Sequence, residues 1–221
     1  MNSIYSFKHT TFFDRIIIKK RYEMIKLINK NLKDEVFFDA LDIGTTDDMD
    51  YESSNYLIKN LKEIKVFKSI SDQKINSIFF LKSLNKSILD NFSTDEIQQY
   101  KSDIVISNAT IEHVGNYKNQ LKMISNIIYL TKKKFIITTP NRFHPFDFHT
   151  KIPLIHWLPK KVHRKILSIF GLNYFAMEEN LNLLSINDLK NLLDNFELIE
   201  YKVFYIKFFG FISNYIIIGT K

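Results

Sequence analysis

The chain has 221 residues, 45% of them hydrophobic and 14% aromatic, which is enough to bury a core within one domain and too apolar for a disordered segment. Lys and Arg number 31 against 24 Asp and Glu, a formal charge of +7, yet the lysines are scattered among Ile and Asn rather than gathered on one face, which argues against nucleic acid as a partner. With no cysteine, disulfides, thiolate nucleophiles and cysteine-ligated metals are excluded, and the composition fits a cytoplasmic protein.

No positively charged and then apolar leader opens the chain, and residues 11–32 carry helical spacing in Ile16, Ile17, Tyr22, Met24, Ile25 and Ile28. "VFFDALDIG" predicts a short buried strand ending at Asp42 and Gly44, and 52–61 predicts a helix with acids in its first turn. "IKVFKSIS", "SIFFL" and "DIVIS" predict three more strands. A helix over 117–131 follows, with Lys132, Lys133 and Lys134 at its basic end, and "KFIITTP" is a fifth strand stopped by Pro140. This alternation is the signature of a doubly wound α/β fold: a Rossmann-like, mostly parallel seven-stranded sheet with helices on both faces.

Past Pro140 the rhythm breaks into "NRFHPFDFHTKIPLIHWLPKKVHRK", too sticky for a linker, and residues 141–184 read as a packed cap over the active edge. Its basic run, Lys160 to Lys165, is a solvated face or a contact for an anionic substrate or lipid, so weak peripheral membrane contact is open. "SINDLKNLLDNF" is a helix with Ser185 as N-cap. "VFYIKFFGFISNYIIIG" contains Lys207, Gly210, Ser213 and Asn214, which suits two strands and a turn, the last of them antiparallel, better than a spanning helix. One domain over 1–221 is expected, with 1–35 as its N-terminal helical segment.

The turn after the first strand is the usual floor of the ligand cleft in such sheets. A pyrophosphate there needs close-approach glycines and a helix N-terminus clear of negative charge. Here Asp47, Asp48, Asp50 and Glu52 follow Gly44, which disfavours a phosphate and an NAD-type ligand and tolerates a cationic one. Asp42 ends an apolar strand, where a charge without a partner is costly.

"LDIGTTDD", "SDIVISNATIEHVGN" and "FIITTPNRFHPFDFHTKIPLIHWLP", in that order and spacing, resemble the class I S-adenosylmethionine-dependent methyltransferases. Within them the chain is similar to small type 11-like domains associated with bacterial surface polysaccharide synthesis. Two departures stand out: Thr45 and Thr46 replace further glycines, and the acid after the third strand has no counterpart, since that stretch offers only Ser83 and Asn85.

The resemblance implies S-adenosyl-L-methionine as cofactor. It sets Asp42, Gly44 and Thr45 against the methionine portion, and Ser107, Asn108 and Ala109 beneath the transferred methyl. It also implies an acid on the ribose, for which Asp72 is the choice and Glu63 the competitor. Asn108 either offers its amide to the cofactor or satisfies its own turn. Glu112 and His113 form either a cofactor-orienting or catalytic pair or a hydrogen-bonded helix start.

Transfer to a hydroxyl is helped by a base titrating near neutrality, and His113, His144, His149 and His156 all fall in segments that the resemblance places around the substrate pocket, the first three being the catalytic choices. Three histidines with Asp147 match no compact metal-ligand spacing, so no metal is expected. Phe143, Phe146, Phe148 and Trp157 are either core or a wall for a sugar or lipid. The expected activity is methyl transfer to a small or a glycan- or lipid-linked acceptor, at oxygen; the alternative is a degenerate domain that binds without turnover.

Overall fold

A computed structural model describes residues 12–221; the side chains before Arg15 and the start of the helix expected from residue 11 lie outside the described residues. The elements run α1 (Phe12–Leu32), β1 (Asp39–Ile43), α2 (Tyr56–Lys59), β2 (Val66–Ser71), β3 (Lys82–Asn85), α3 (Thr94–Tyr100), β4 (Ser102–Asn108), α4 (Tyr117–Leu130) and β5 (Thr131–Pro140). They continue with α5 (Lys160–Ile169), α6 (Asn173–Ala176), α7 (Ile186–Leu193), β6 (Glu200–Phe208) and β7 (Phe211–Thr220). One seven-stranded sheet has the order β3-β2-β1-β4-β5-β7-β6. The first five strands are parallel, and β7 runs antiparallel to both β5 and β6.

Alternation along the strands builds a core on each face. Leu41, Ile43, Val105, Phe135 and Ile137 point to the side covered by α4 and α7, while Ala40, Ile104, Ile106 and Ile136 point to the side covered by α1 and α2. Strand β1 lies between β2 and β4, so chain order reverses there, and the carboxyl ends of β1 and β4 are where sheets of this kind place their ligand cleft. Gly219 closes the sheet tightly, since a Cβ at that position would sit 2.0 Å from the Phe135 ring.

The structure departs from the sequence reading in four places. The helix expected over 52–61 shrinks to the single turn of α2, because Asn55 takes a left-handed φ of 50° just before it. "SIFFL" is not a strand: Phe79 stacks on Phe67, and the third strand is the next four residues. Helix α3 was not expected, although Ser93 and Glu96 write a capping box at its start. Lys132, Lys133 and Lys134 do not end a helix but open β5, where they pair with Asp39 at 3.7 Å, Asp103 at 3.3 Å and Glu35 at 2.8 Å. The closing strand pair and the Ser185 cap of α7 are as expected, and no helix among the described residues is long and apolar enough to cross a membrane.

Candidate active site

The floor of the cleft is the turn after β1. Gly44 is exposed at φ +84°, and an added Cβ would meet Thr110 Oγ1 at 2.4 Å and its Cγ2 at 2.8 Å, so both conformation and space demand glycine. Below it Asp42 is buried, with one hydrogen bond from the Thr45 hydroxyl at 2.6 Å. Burial pushes its pKa up to about 7 against the opposing pull of that bond.

The loop from Thr45 to Asn55 is held by its own polar groups. Asn55 accepts from the Thr46 amide at 3.0 Å and donates to the Thr46 carbonyl at 2.7 Å; Asp47 accepts from the Asn76 amide at 2.7 Å; Asp48 accepts from the Tyr51 amide at 3.1 Å. Lys59 donates to the carbonyls of Met49 and Tyr51, and Arg21 to that of Ser53. Asp47 and Asp48 are therefore spent on loop structure rather than on the dipole of a helix start. What works against a phosphate is the late start of α2: its first residue comes 12 positions after Gly44, so no helix N-terminus meets the turn.

Asp72 is the first residue past β2 and is exposed at the same edge. Glu63 precedes β2, at the opposite end of the strand, which removes it as the competitor. Ser107 is buried and donates to the Ile43 carbonyl at 3.3 Å, tying β4 to β1. Asn108 accepts from the Thr138 hydroxyl at 2.6 Å, so its side chain is oriented by β5 and does not satisfy its own turn; its amide N–H groups point away from that bond. Ala109 has φ +54° and donates its amide to the Thr138 carbonyl at 2.9 Å. The chain thus bends sharply at the end of β4 into a 3-10 turn, Ile111–His113.

That turn carries a dense polar constellation. Glu112 is fully buried: Oε2 accepts from the Thr139 hydroxyl at 2.9 Å, and Oε1 has no hydrogen-bond partner among the described residues and lies 4.0 Å from His149 Nε2. The Nδ1 atom of His149 is 3.2 Å from Asp147 Oδ1, while Asp147 Oδ2 accepts from the Thr150 hydroxyl at 2.6 Å. His113 sets its Nδ1 2.6 Å from the Asn180 carbonyl, and its ring meets His149 edge to face at 5.0 Å.

Charge and burial compete here. Burial alone would raise Asp147, but His149 and Thr150 pull it well below the usual carboxylate range. Burial disfavours a charged His149, yet Asp147 and Glu112 outweigh it and raise its pKa, whereas burial wins at His113 and lowers it. The turn itself is clamped from the segment before α7: the Asn182 amide donates to the Glu112 carbonyl at 2.7 Å, and Gln120 bridges the carbonyls of Ile111 and Asn182.

Of the histidines expected around the pocket, His113 and His149 come together; His144 and His156 do not join them. His144 is buried with its ring centroid 5.4 Å from Phe148 and 5.8 Å from Phe208, and its carbonyl accepts from His156 Nε2 at 2.6 Å and Trp157 Nε1 at 3.3 Å. Phe146 and Phe148 pack with it, while Phe143 and Trp157 stay exposed. Sequence reading overlooked Thr110, Thr139, Asn180 and Asn182. Thr139 alone left a signal, as an inward hydroxyl in an otherwise apolar strand.

No protein-family model and no curated protein matches the chain. Solved structures do. The plantazolicin methyltransferase BpumL in complex with SAH superposes with a TM-score of 0.59 at 12% identity, covering 96% of this chain and 91% of that one. Magnesium protoporphyrin IX methyltransferase from Synechocystis PCC 6803 with bound SAH gives 0.57 at 11%, covering 98% and 90%. The N-methyltransferase NodS from Bradyrhizobium japonicum WM9 gives 0.53 at 8%, covering 94% and 97%. The fold is the Rossmann-like fold of these methyltransferases.

Proposed function

We propose that the protein is an S-adenosylmethionine-dependent methyltransferase acting at oxygen on a glycan- or lipid-linked acceptor. The observation that carries the reading is Asp42, a buried carboxylate under a bare glycine turn at the switch point of this sheet, with no helix start to receive a phosphate. Structural neighbours crystallised with SAH support the cofactor.

S-adenosylmethionine supplies a methyl carbon already activated by its sulfonium, so the protein has to align the acceptor, exclude water and take a proton. Asp42, Gly44 and Thr45 would hold the methionine end, and Asn108 and Ala109 the region of the reacting carbon. Asp72 takes the ribose hydroxyls. The acceptor oxygen sits over Glu112, His113 and His149, where buried charge is already concentrated. His144, enclosed by aromatic rings, shapes the wall instead.

One feature supports an acceptor carrying an apolar chain: Phe143, Leu154, Trp157, Leu158 and Val162 are exposed apolar side chains of the segment after β5. Cytoplasmic location and a role in surface polysaccharide synthesis are part of the same proposal.

Calorimetric titration of the folded protein with S-adenosylhomocysteine tests it: we expect one site, abolished by Asp42→Ala, and a flat trace from wild type would sink the reading. A second reading, a domain that binds without turnover, draws on Thr110's occupation of the space over Gly44. Methyl transfer to any member of a panel of glycan and lipid acceptors decides against it.

A further inference from the structure

Side chains from two segments far apart in sequence meet where the turn after β4 touches the segment following β5. Glu112, His113 and His149 each place a donor atom so that all three lie within 4.8 Å of one another. Their hydrogen bonds fix which atoms face inward. The Asn180 carbonyl can only accept, so the His113 Nδ1 beside it carries the proton and Nε2 holds the lone pair. Asp147 imposes the same tautomer on neutral His149, whose Nε2 faces Glu112. Glu112 is anchored through Oε2 by Thr139, and its Oε1 is buried without a hydrogen-bond partner among the described residues.

A 4.0 Å separation is too long for a hydrogen bond, so the His149 contact does not satisfy that oxygen. Leaving a buried charged oxygen unsatisfied is costly unless something else occupies the space between the donors. Imidazoles tied back by a carboxylate and a backbone carbonyl, with lone pairs turned toward a carboxylate oxygen, are the outer-shell arrangement that orients metal ligands.

We propose that Glu112, His113 and His149 bind a divalent first-row metal ion, and that the methyl-accepting oxygen docks at its open coordination positions. Two nitrogens and one oxygen suit zinc, cobalt, iron or manganese better than calcium or magnesium. Metal–ligand bonds of about 2.0–2.2 Å set the donors roughly 3.0–3.5 Å apart, so the donor separations shorten by up to roughly 1–2 Å on binding. Three protein ligands leave room for substrate, as catalytic rather than structural sites do.

The second half of the proposal rests on the methyltransferase reading. There the ion raises the acidity of the acceptor hydroxyl, whose proton leaves to solvent. The oxygen–methyl bond forms as the sulfonium carbon–sulfur bond breaks, and a neutral thioether departs. The sequence hid this site because 35 residues separate His113 from His149, and only the return of the chain after β5 brings them together.

The test is a titration of tag-free, metal-stripped full-length protein with Co²⁺, followed by visible d–d absorption and calorimetry. Circular dichroism confirms the fold of each variant. Wild type is expected to bind one equivalent with visible bands, His149→Asn and Glu112→Gln at least ~10-fold more weakly, and Asp147→Asn ~10–100-fold more weakly through misorientation of His149. Absence of bands and heat from folded wild type overturns the site, as does stoichiometric binding unchanged in both ligand variants. S-adenosylhomocysteine titrated into the same samples separates the two claims: cobalt binding without it keeps the metal site and sinks the methyltransferase reading. Undiminished turnover in a chelator removes the ion from the reaction and leaves proton removal to the His149–Asp147 pair.

Discussion

Asp42 and Asp147 are both buried carboxylates at one edge of the sheet, and the protein moves them in opposite directions. Asp42 has a single hydroxyl for company, and burial carries its pKa to about 7. Asp147 is as buried, but His149 and Thr150 satisfy it from both sides and hold it well below its ordinary range. The β1 half of the cleft is thus shaped by backbone around one under-satisfied acid, and the β4–β5 half is a cross-linked network of charge. Under the proposed function, the first half would take the cationic cofactor and the second would handle the acceptor's proton.

The largest effect is expected from removing the backbone freedom of the first half. Gly44→Ala meets two penalties: about 1–3 kcal/mol for a non-glycine residue at φ +84° and about 1–3 kcal/mol for the overlap with Thr110. S-adenosylhomocysteine binding should become undetectable and chemical denaturation should show the combined loss. Adding Thr110→Gly should restore the packing part only. Full recovery in the double variant would mean that crowding alone, rather than the left-handed turn, defines this half.

Next in size is the network. Asp147→Asn keeps shape and removes charge, leaving His149 beside Glu112 without its main partner. Breaking one side of a buried pair costs about 3–5 kcal/mol, and His149 is only 17% exposed, so a loss of about 3 kcal/mol in urea denaturation is expected. A change under ~0.5 kcal/mol would show that the network is not as desolvated as its burial implies.

These two halves were not equally legible. The β1 turn was readable because its signals are local: Asp42, Gly44 and Thr45 sit in one run, and strand, acid and glycine follow each other within five residues. The mostly parallel, doubly wound sheet followed from the alternation of elements, and helix α7 from its Ser185 cap. Local propensity misled where tertiary packing overrode it. Phe79 and Phe80 read as strand but are drawn into the aromatic stack on Phe67, and Asn55 replaces a helix with a loop through one left-handed residue.

Glu112 and His113 were visible as a pair, but their meeting with His149 depends on a 3-10 turn clamped by Asn182 and on a return of the chain that no periodicity announces. His144 and His149 look alike in sequence. Their environments divide them, one packed among aromatic rings and the other beside two carboxylates.

A smaller effect with an unusual sign belongs to Asp42. Its folded-state pKa, about 7, lies above the ordinary 3.8, so the folded protein takes up a proton that the unfolded chain does not hold across that range. Stability from this group is therefore full below about pH 4 and declines as pH rises toward 7, at about 1.4 kcal/mol per pH unit. Asp42→Asn removes the dependence. Between about pH 5 and pH 8 wild type should lose roughly 2–3 kcal/mol relative to the variant, read from denaturation at each pH. Parallel curves for the two proteins would mean that the carboxylate is solvated in the free protein, and the contrast with Asp147 would disappear.

The smallest effect on stability lies outside both halves, on the rim of the segment after β5. Trp157 is 43% exposed, with its indole N–H on the His144 carbonyl, and it shares the surface with Phe143, Leu154, Leu158 and Val162 near the basic residues Lys160, Lys161 and Lys165. An aromatic anchored by one polar bond and flanked by cations is the composition of an interfacial anchor. Trp157→Ala should shift stability by about 0.5 kcal/mol or less, because it empties no core site. If the rim receives an apolar chain, the same substitution should raise KM for a lipid-linked acceptor several-fold and leave KM for its water-soluble headgroup unchanged. An equal rise for both acceptors would move Trp157 from the rim into the cleft, and the division between a backbone-shaped half and a charged half would need a third, aromatic wall.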